Sequence, residues 1–582
     1  MFNSSALRSP STTQTLGLVL IGLLFLPASF YFQPNLGGEG MFIPFNSTVW
    51  IAATLVVSSA VLLMLKQGHI TLPRYWLLLA ALPAGIIISG FVVESFLPTE
   101  WLFRQLYILG GFCFLLALFQ FRFTPKDLDK LIIIFLLASL AHATYGISQI
   151  IWPGIYPAWI VPSNGTPYGI FQQINLQASL QATALLTAFF LISKPLCLRP
   201  MPGLSLLLLL TIFTSSFIVA YSGSRVGLLS ALIGLLLLLI GRWKLLLGNK
   251  TLLVAAILLI SLSGYLGKEG ALRATGKFQD LSILDESVAT LGAGSRKNIY
   301  SIAFSLLKEA PVFGHGIGSF QKQWHDKKVD FITSHPEASL PPQRLSHPHN
   351  ELMFWMVEGG LISISGIVIT ALTVLVAIFR CGWKRGVSYL ALLLPVTLHT
   401  QVELPFYISN IHWFLLLSLL FLILQHDKVT KKINLSRAAT ISIASSAVIL
   451  FAVTTFFMVH SIKANAGIVR FLESRMSQPR HLEAGLANPY FNEMAELQLM
   501  RTLLLRDLQA RQNNFAPEFI NWATAYLEYR PISQIYVDLA RAHLAIGERD
   551  KALAVIAKGT AIYPTNKGIS EAVMLINNSV KK

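Results

Sequence analysis

A histidine pair followed by an asparagine closes a long polar stretch of this sequence. The run RLSHPHNELMFWMVEGG places His347, His349 and Asn350 directly before an apolar segment. An imidazole titrates near neutral pH and can take a proton from a hydroxyl group, so His349 is a candidate catalytic residue. No metal is predicted, because the two histidines are spaced i, i+2 and no cysteine or carboxylate motif accompanies them.

Two arginines have the chemistry to bind a diphosphate. Arg225 lies in YSGSRVG, at a turn between two apolar segments, and Arg296 lies in GAGSRKNIY, within the long polar stretch. A guanidinium group can bind phosphate oxygens through two parallel hydrogen bonds. The alternative is an interfacial role for Arg225 and an ordinary surface position for Arg296.

Polar side chains also gather at two further turns. GTPYGIFQQINLQASL contains Gln173 and Asn175, and HTQVELPFYISNIHW contains Glu403 and Tyr407. Polar and ionisable groups are costly in or beside a bilayer, so these four residues are candidates for orienting a substrate, as are His347 and Asn350. Glu403 precedes a proline, so it could instead satisfy the end of a broken helix.

The elements that must position these residues are predicted to be transmembrane helices. Of the 582 residues, 54% are hydrophobic and 13% are charged, which excludes a soluble globular protein. Apolar runs long enough to cross a bilayer recur along the chain, and the alternating segments of a transmembrane β-barrel do not. We predict an all-α polytopic membrane protein. Its thirteen predicted transmembrane helices lie near residues 15–33, 49–65, 74–96, 102–121, 131–152, 174–193, 203–221, 226–241, 251–266, 350–379, 386–402, 406–425 and 438–460.

Basic residues predict which way the chain crosses the membrane. They concentrate in the short loops after even-numbered segments, and Arg225 is the exception after an odd-numbered one. An excess of Lys and Arg marks the cytoplasmic side. The N-terminus with Arg8 is therefore predicted inside, and the C-terminus and all candidate site residues are predicted on the outer side of the membrane. The formal net charge of +17 is attributed to this topology, so no nucleic-acid partner is predicted.

The topology divides the chain into four parts. They are transmembrane helices 1–9 (1–266), a large outer loop (267–349), transmembrane helices 10–13 (350–460) and an outer helical C-terminal domain (461–582). Within the last part, residues 536–564 predict two amphipathic helices joined at Gly547, similar to a tetratricopeptide repeat. A generic helical hairpin is the alternative, and either one offers a surface for binding a protein.

These motifs resemble the bacterial superfamily of O-antigen ligases, Wzy polymerases and protein O-oligosaccharyltransferases. SHPHNELMFWMVEGG resembles its histidine motif, and SGSRVG and GSRKNIY with PVFGHGIGSF resemble its two arginine stretches. GTPYGIFQQINLQASL, HTQVELPF and the hydrophilic tail are most similar to the PglL-type protein O-oligosaccharyltransferases.

The resemblance implies an inverting, metal-independent glycosyltransferase that needs no cofactor. It would transfer an oligosaccharide en bloc from undecaprenyl diphosphate to Ser or Thr of a periplasmic acceptor protein such as a pilin. The protein would lie in the bacterial inner membrane, so the large loop (267–349), the C-terminal domain and the candidate site would be periplasmic. His349 matches the essential histidine, and Arg225 and Arg296 match the arginines that hold the diphosphate.

Three other functions are compatible with parts of the pattern. An O-antigen ligase, which joins the glycan to lipid A-core, or a Wzy-type polymerase would use the same donor and histidine. A transporter of lipid-linked glycans would place charged residues along a path to both faces, whereas the clusters here lie on one predicted side. A scaffold with a passive anchor would not need thirteen segments.

Overall fold

The computed structural model describes residues 12–95, 97–154, 160–198, 201–280, 293–341 and 344–578. It is 78% helical and has almost no strands, as the sequence predicts. Arg8, used above for orientation, lies outside the described residues, and so do parts of the predicted periplasmic loop.

The membrane part and the predicted periplasmic loop form helices α1 to α17 and two short strands. The helices are α1 (Thr12–Phe25), α2 (Phe45–Gln67), α3 (Trp76–Leu79), α4 (Ala81–Val92), α5 (Pro98–Leu118), α6 (Pro125–Ile151), α7 (Ile174–Ile192), α8 (Pro202–Ser222), α9 (Arg225–Leu246), α10 (Lys250–Asp280), α11 (Ala293–Glu309), α12 (Phe320–Ser334), α13 (Glu351–Arg380), α14 (Trp383–His399), α15 (Pro405–Ile408), α16 (Asn410–Leu424) and α17 (Arg437–Glu473). The strands are β1 (His69–Pro73) and β2 (Lys428–Lys432), which pair antiparallel.

The tail continues as six more helices. They are α18 (Glu483–Leu486), α19 (Asn492–Ala510), α20 (Ala516–Tyr529), α21 (Ser533–Ala545), α22 (Arg549–Ile562) and α23 (Lys567–Asn578).

Every predicted transmembrane segment overlaps helical structure. The predicted segment near 386–402 lies on α14, which is not among the apolar stretches named next, so this crossing stays a prediction. Among the described residues, nine helical stretches are long and apolar enough to cross a membrane, and the shorter Trp76–Val92 and Asn410–Leu424 are also apolar. One of the nine, Arg225–Gly270, is 46 residues long and covers two predicted segments. The fold is therefore that of an all-α polytopic membrane protein. Helices α10 and α17 continue beyond the predicted ends of their segments at 266 and 460.

The chain divides into two compact units, each built from separate stretches of sequence. The first unit takes its described residues from Met1–Ala80, Ile108–Lys277 and Ile369–Ala466. The second takes them from Ala81–Tyr107, Phe278–Val368 and Gly467–Lys582.

Helix α7 runs through the interior of the first unit, where every residue from Leu176 to Ile192 is buried. Its buried Gln177 and Gln181 side chains bond to neighbouring helices, because a buried polar group without a partner is costly, and Gln177 donates to the His142 carbonyl oxygen of α6 at 2.8 Å. Gln181 donates to the Ser139 carbonyl oxygen at 3.0 Å and accepts the Ser215 hydroxyl at 2.7 Å. These paired amides fix α7 against α6 and α8, so its amino end has a defined position.

The basic loops of the first unit meet at one end, as expected if they share one side of the membrane. Strands β1 and β2 join the loops after the second and twelfth predicted segments. Side-chain contacts connect the remaining loops after even-numbered segments, together with the helix ends beside them, one to the next. They are Gln120 Nε2 to Thr71 O (2.7 Å), Lys194 Nζ to Asp129 Oδ1 (3.1 Å), Arg242 Nε to Ser388 Oγ (3.0 Å) and Arg380 Nη2 to Asp427 Oδ2 (3.3 Å).

Turns after odd-numbered segments are likewise joined to one another. Asn46 donates to the Ile408 carbonyl oxygen at 2.9 Å, and Gln172 donates to Asn35 Oδ1 at 3.0 Å. The two groups of loops are therefore internally connected, in agreement with the predicted alternation. Which group faces the cytoplasm stays a prediction.

The helices of the tail pack around one apolar core in the second unit. Helices α21 and α22 form the predicted hairpin, with Ala540 and Ala552 buried between them. Gly547, where the two helices were predicted to join, has φ +80°, a conformation that favours glycine. Val329 of α12 packs against the same core, so the predicted periplasmic loop and the tail are in contact.

Candidate active site

Gln173 and Glu403 come together at the amino end of α7. Gln173 is the residue before the helix, and its side-chain nitrogen lies 3.5 Å from Glu403 Oε2. The other carboxylate oxygen, Oε1, accepts the Leu404 backbone N–H at 3.3 Å, so Glu403 does satisfy a backbone group beside Pro405. The Gln173 Oε1 atom is buried and has no hydrogen-bond partner among the residues that the structure describes. A ligand that donates a hydrogen bond would satisfy it.

Asn175, in the first turn of α7, supports the turn that carries Arg225. Its Oδ1 atom accepts the Ser224 hydroxyl at 2.8 Å, and Ser224 Oγ in turn accepts the Gly227 N–H at 3.3 Å to cap α9. Gly223 ends α8 with φ +65°, which a residue with a side chain would adopt only with strain. Arg225 is thereby fixed as the first residue of α9, with an exposed side chain.

The first unit thus assembles Gln173, Asn175, Glu403 and Arg225 around the amino end of one helix. Such a helix end carries a partial positive charge and favours anions. Tyr407 lies nearby in sequence, on the short helix α15 that follows Glu403.

His347, His349 and Asn350 form one tight turn in the second unit. Asn350 Oδ1 accepts the Met353 N–H at 3.0 Å, which is the N-cap interaction of α13. The His349 N–H donates to His347 Nδ1 at 3.2 Å, and the two ring centroids are 4.6 Å apart. His349 has φ +53°, a region that residues other than glycine seldom occupy. Strain of this kind persists where the surrounding structure holds it and is common at active sites.

Three hydrogen bonds, which we call the clasps, hold the chain just before this turn. They are Ser295 Oγ with Ser339 Oγ (3.0 Å), Lys328 Nζ to the Pro341 carbonyl oxygen (2.9 Å) and the Leu345 N–H to His325 Nε2 (3.3 Å). The first comes from α11 and the other two come from α12. The helices of the predicted periplasmic loop therefore position the histidine turn.

His325 and Lys328 are buried, and burial shifts the pKa of each. It lowers the pKa of His325 to about 3, with a further contribution from the positive charges of Lys328 and Arg344. His325 is therefore neutral near pH 7, which its hydrogen bonds require, since Nδ1–H donates to the Gln321 carbonyl oxygen at 2.6 Å while Nε2 accepts. Burial also lowers the pKa of Lys328 to about 8.

Arg296 lies on α11, beside the first clasp. Its neighbour Asn298 donates to the Ser339 carbonyl oxygen at 3.0 Å, so the residues around Arg296 contact the segment that leads to the histidine turn. The Arg296 Nε atom is buried, and no residue in the described part of the chain accepts its hydrogen bond. A buried guanidinium N–H without an acceptor is costly, and an anionic ligand would relieve that cost.

A network of ion pairs in the second unit was not predicted, and we call it the ion-pair network. Arg104 of α5 pairs with both Glu100 and Glu358. Glu358 is fully buried on α13, the helix that begins at the histidine turn, and it accepts the Phe320 N–H at 3.2 Å. Arg530 of the tail donates to Glu100 Oε2 at 2.7 Å. The ion-pair network therefore joins the tail to the helix that follows His349.

Part of the ion-pair network could have been predicted from the sequence. Arg104 and Glu358 are opposite charges inside two predicted apolar segments, and ionisable residues within a membrane are usually paired. The tail gave no such signal, because Arg530 lies in an ordinary polar sequence and its partner Glu100 is more than 400 positions away. His325 and Lys328 were missed for the same reason.

The fold and these polar clusters define a multi-pass membrane protein with polar residues gathered at helix ends and in a helical loop. Two family models match the chain. The O-Antigen ligase model matches residues 210–369, which include Arg225, Arg296 and His349. The model of the C-terminal part of a virulence factor membrane-bound polymerase matches residues 387–573, which include the tail helices. These matches support the O-antigen ligase and Wzy superfamily, and a function in glycan transfer or polymerisation. No curated protein matches the chain significantly.

Proposed function

We propose that this protein is an inner-membrane protein O-oligosaccharyltransferase. It transfers a glycan en bloc from undecaprenyl diphosphate to Ser or Thr of a periplasmic acceptor protein such as a pilin. The observation that carries the proposal is the histidine turn, where His349 is held in a strained conformation while Asn350 caps the helix. The match of residues 210–369 to the O-antigen ligase family supports it.

In the proposed reaction His349 takes the proton of the acceptor hydroxyl. The hydroxyl oxygen forms a bond to C1 of the first sugar, and the bond from C1 to the diphosphate oxygen breaks with inversion. The electron pair leaves with undecaprenyl diphosphate, where Arg225 and Arg296 stabilise the growing negative charge. No metal or cofactor takes part in this scheme.

Other residues would orient the substrates. The unsatisfied Gln173 Oε1 atom can accept a sugar hydroxyl, and Glu403, which lies beside the side-chain nitrogen of Gln173, can do the same. Asn175 acts indirectly, through the turn that carries Arg225. His347 supports the backbone of His349, and Tyr407 stays a candidate through its place after Glu403.

The acceptor is what distinguishes the candidate functions. A protein acceptor is favoured by the PglL-like motifs and by the helical tail, whose hairpin offers a binding surface. Polymerisation is the second candidate, because residues 387–573, tail included, match the model of a membrane-bound polymerase. Ligation to lipid A-core would use the same histidine and donor.

Proteoliposomes containing the purified protein and an undecaprenyl-diphosphate-linked oligosaccharide would separate these functions. A pilin-like protein, lipid A-core and additional lipid-linked donor are offered in parallel as acceptors, and proteoliposomes without the protein serve as the blank. We expect intact mass spectrometry to show one glycan added at Ser or Thr of the protein. Products confined to lipid A-core, or a lengthened donor, would replace the proposal with ligation or polymerisation. Donor that crosses the bilayer without transfer would indicate a transporter.

A further inference from the structure

Three basic loops enclose a cavity of about 240 Å³ at one end of the first unit. These are the loops after the second, tenth and twelfth predicted segments. The lining side chains that matter here are those of Arg74, Tyr75, Arg380, His426 and Asp427. The backbone there is fixed by β1 and β2, since the Arg74 N–H donates to the Asp427 carbonyl oxygen at 2.9 Å directly after β1.

Two guanidinium groups share one carboxylate in this cavity. Arg74 Nε lies 3.6 Å from Asp427 Oδ1, and Arg380 Nη2 lies 3.3 Å from Asp427 Oδ2. Each guanidinium has five N–H donors, and both arginine side chains are 50% exposed, so donors remain for a further acceptor. The three groups together carry one net positive charge.

The surroundings of the cavity add to its positive potential. Desolvation and then the charges of Arg385, Lys194 and Lys428 lower the pKa of His426, so its ring is neutral near pH 7. Its Nε2 atom lies 2.6 Å from the Tyr389 hydroxyl. A neutral imidazole beside several cations marks a place where an anion is electrostatically favoured.

Exposed apolar side chains flank the cavity on two sides. Leu77 and Leu78 follow Tyr75, and Val376 and Phe379 precede and follow the lining residue Ala377. Trp383 is 64% exposed and stacks on Phe379 with ring centroids 5.9 Å apart. Exposed tryptophan at the end of a membrane helix is typical of the bilayer interface. The basic cavity therefore lies where apolar, membrane-facing surface begins.

We propose that this cavity binds the phosphate headgroup of an anionic phospholipid, with Arg74 and Arg380 on the phosphate oxygens. The flanking apolar side chains would contact the acyl chains. A basic pocket between membrane helices suits such a headgroup, and the apolar flanks favour a lipid over a soluble phosphate. The site is separate from the glycan-transfer residues and does not depend on their assigned roles.

Native mass spectrometry of the detergent-purified protein can measure retention of phosphatidylglycerol against phosphatidylcholine. We expect selective binding of phosphatidylglycerol and about tenfold weaker binding in the Arg74→Gln, Arg380→Gln double variant, since each basic residue contributes several-fold to binding an anionic surface. The matched control is the Lys431→Gln, Arg437→Gln double variant, which removes two exposed charges from the same group of basic loops outside the cavity. It should bind as the wild type does.

The Asp427→Asn variant should change lipid binding in the opposite direction. It therefore distinguishes loss of the site from misfolding. Removing the carboxylate frees both guanidinium groups, so phosphatidylglycerol should bind more tightly, a gain that a damaged fold cannot produce. If Asp427→Asn loses binding as the arginine variant does, the three residues are only a structural ion cluster and the proposal fails. It fails also if the control variant loses as much as the arginine variant. If inorganic phosphate raises the melting temperature of wild-type protein while phosphatidylglycerol does not, the ligand is a soluble anion and not a lipid.

Discussion

His349 and Asn350 are adjacent residues whose roles can be separated. The Asn350 side chain caps α13, so the helix has its cap without the imidazole of His349. The backbone of His349 is strained, and the clasps hold the chain leading to it. Strain that the fold must support is better explained by a requirement on where this imidazole points than by stability.

Replacing Arg225 or Arg296 by Lys should slow glycan transfer. A Lys side chain keeps the positive charge but loses the planar, two-pronged hydrogen bonding of Arg, so kcat for glycan transfer should fall by about 10²-fold in Arg225→Lys or Arg296→Lys. Steady-state kinetics with varied donor would measure this. Lys297→Ala is the control, because Lys297 is exposed and adjacent to Arg296. Wild-type rates for both Arg→Lys proteins, at equal membrane levels, would remove the arginines from the mechanism.

His325 should make the clasps sensitive to acid. Its pKa is about 3 in the folded protein against about 6.5 when unfolded, so below pH 6.5 the unfolded chain gains a proton that the folded chain excludes. Its contribution to stability is fully present above pH 6.5. It is lost as the pH falls toward 3, at about 1.4 kcal/mol of unfolding free energy per pH unit.

Hydrogen exchange of α12 between pH 7 and pH 4 would measure this effect. His325→Gln, whose amide also donates and accepts but does not titrate, should flatten the pH dependence of protection. His335→Gln, at the exposed end of the same helix, should leave it unchanged. An unchanged slope in His325→Gln would show that other groups cause the acid sensitivity.

At the level of helices, the ion-pair network connects the tail to the histidine turn within the second unit. Arg530 is 13% exposed and bonds to Glu100 and to Glu493, and Glu100 pairs with the arginine that holds Glu358 of α13. Removing Arg530 would take this cationic partner from both Glu493 and Glu100, and Glu100 would keep Arg104 alone. The tail is therefore expected to matter for the enzyme even with acceptors that do not touch it.

Arg530→Ala should destabilise the second unit by about 2 kcal/mol, less than a fully buried ion pair would lose, because Glu100 and Glu493 are 23% and 38% exposed. Thermal unfolding of the purified protein would show this, and a double-mutant cycle with Glu493→Ala would isolate the pair. Arg541→Ala is the control, since Arg541 is 43% exposed and lies 3.7 Å from its carboxylate partner; it should change stability by less than about 0.5 kcal/mol. Equal losses of stability in the two variants would mean that the ion-pair network stabilises the protein no more than a surface ion pair does.

Local sequence patterns predicted helices well and long-range contacts poorly. The hairpin at Gly547 was predictable, because helical periodicity and a glycine break are local signals. The apolar segments were predictable from composition alone. The clasps and Arg530 were not, because Lys328 and His325 sit in a polar sequence and their partners are set by tertiary packing. Arg225 and Asn175 were each predicted, but the Ser224 hydroxyl that connects them was not.

For the whole molecule, the apolar runs predict thirteen crossings with the termini on opposite faces, and the distribution of basic residues predicts that the N-terminus is inside. The connected basic loops of the first unit agree with the alternation but do not give its direction. Periplasmic reporter fusions after residue 300 and at the C-terminus should be active, and fusions at 126 and 430 should be inactive. A matched cytoplasmic reporter at each position should give the reverse pattern. An active periplasmic reporter at 430 would contradict the topology and the periplasmic location of the tail.

Glycan transfer by His349→Ala protein is the most direct measurement of the proposed mechanism. It would be made in the reconstituted system at matched enzyme amounts, beside His347→Ala and Asn350→Ala. Loss of a general base typically costs about 10²–10⁴-fold in rate, so His349→Ala should transfer almost nothing at a normal membrane level. Asn350→Ala should lose about 1 kcal/mol of stability through its cap and keep substantial activity, as should His347→Ala. Near-normal transfer by His349→Ala would contradict the mechanism, and equal loss in all three variants would show that the turn is needed only as structure.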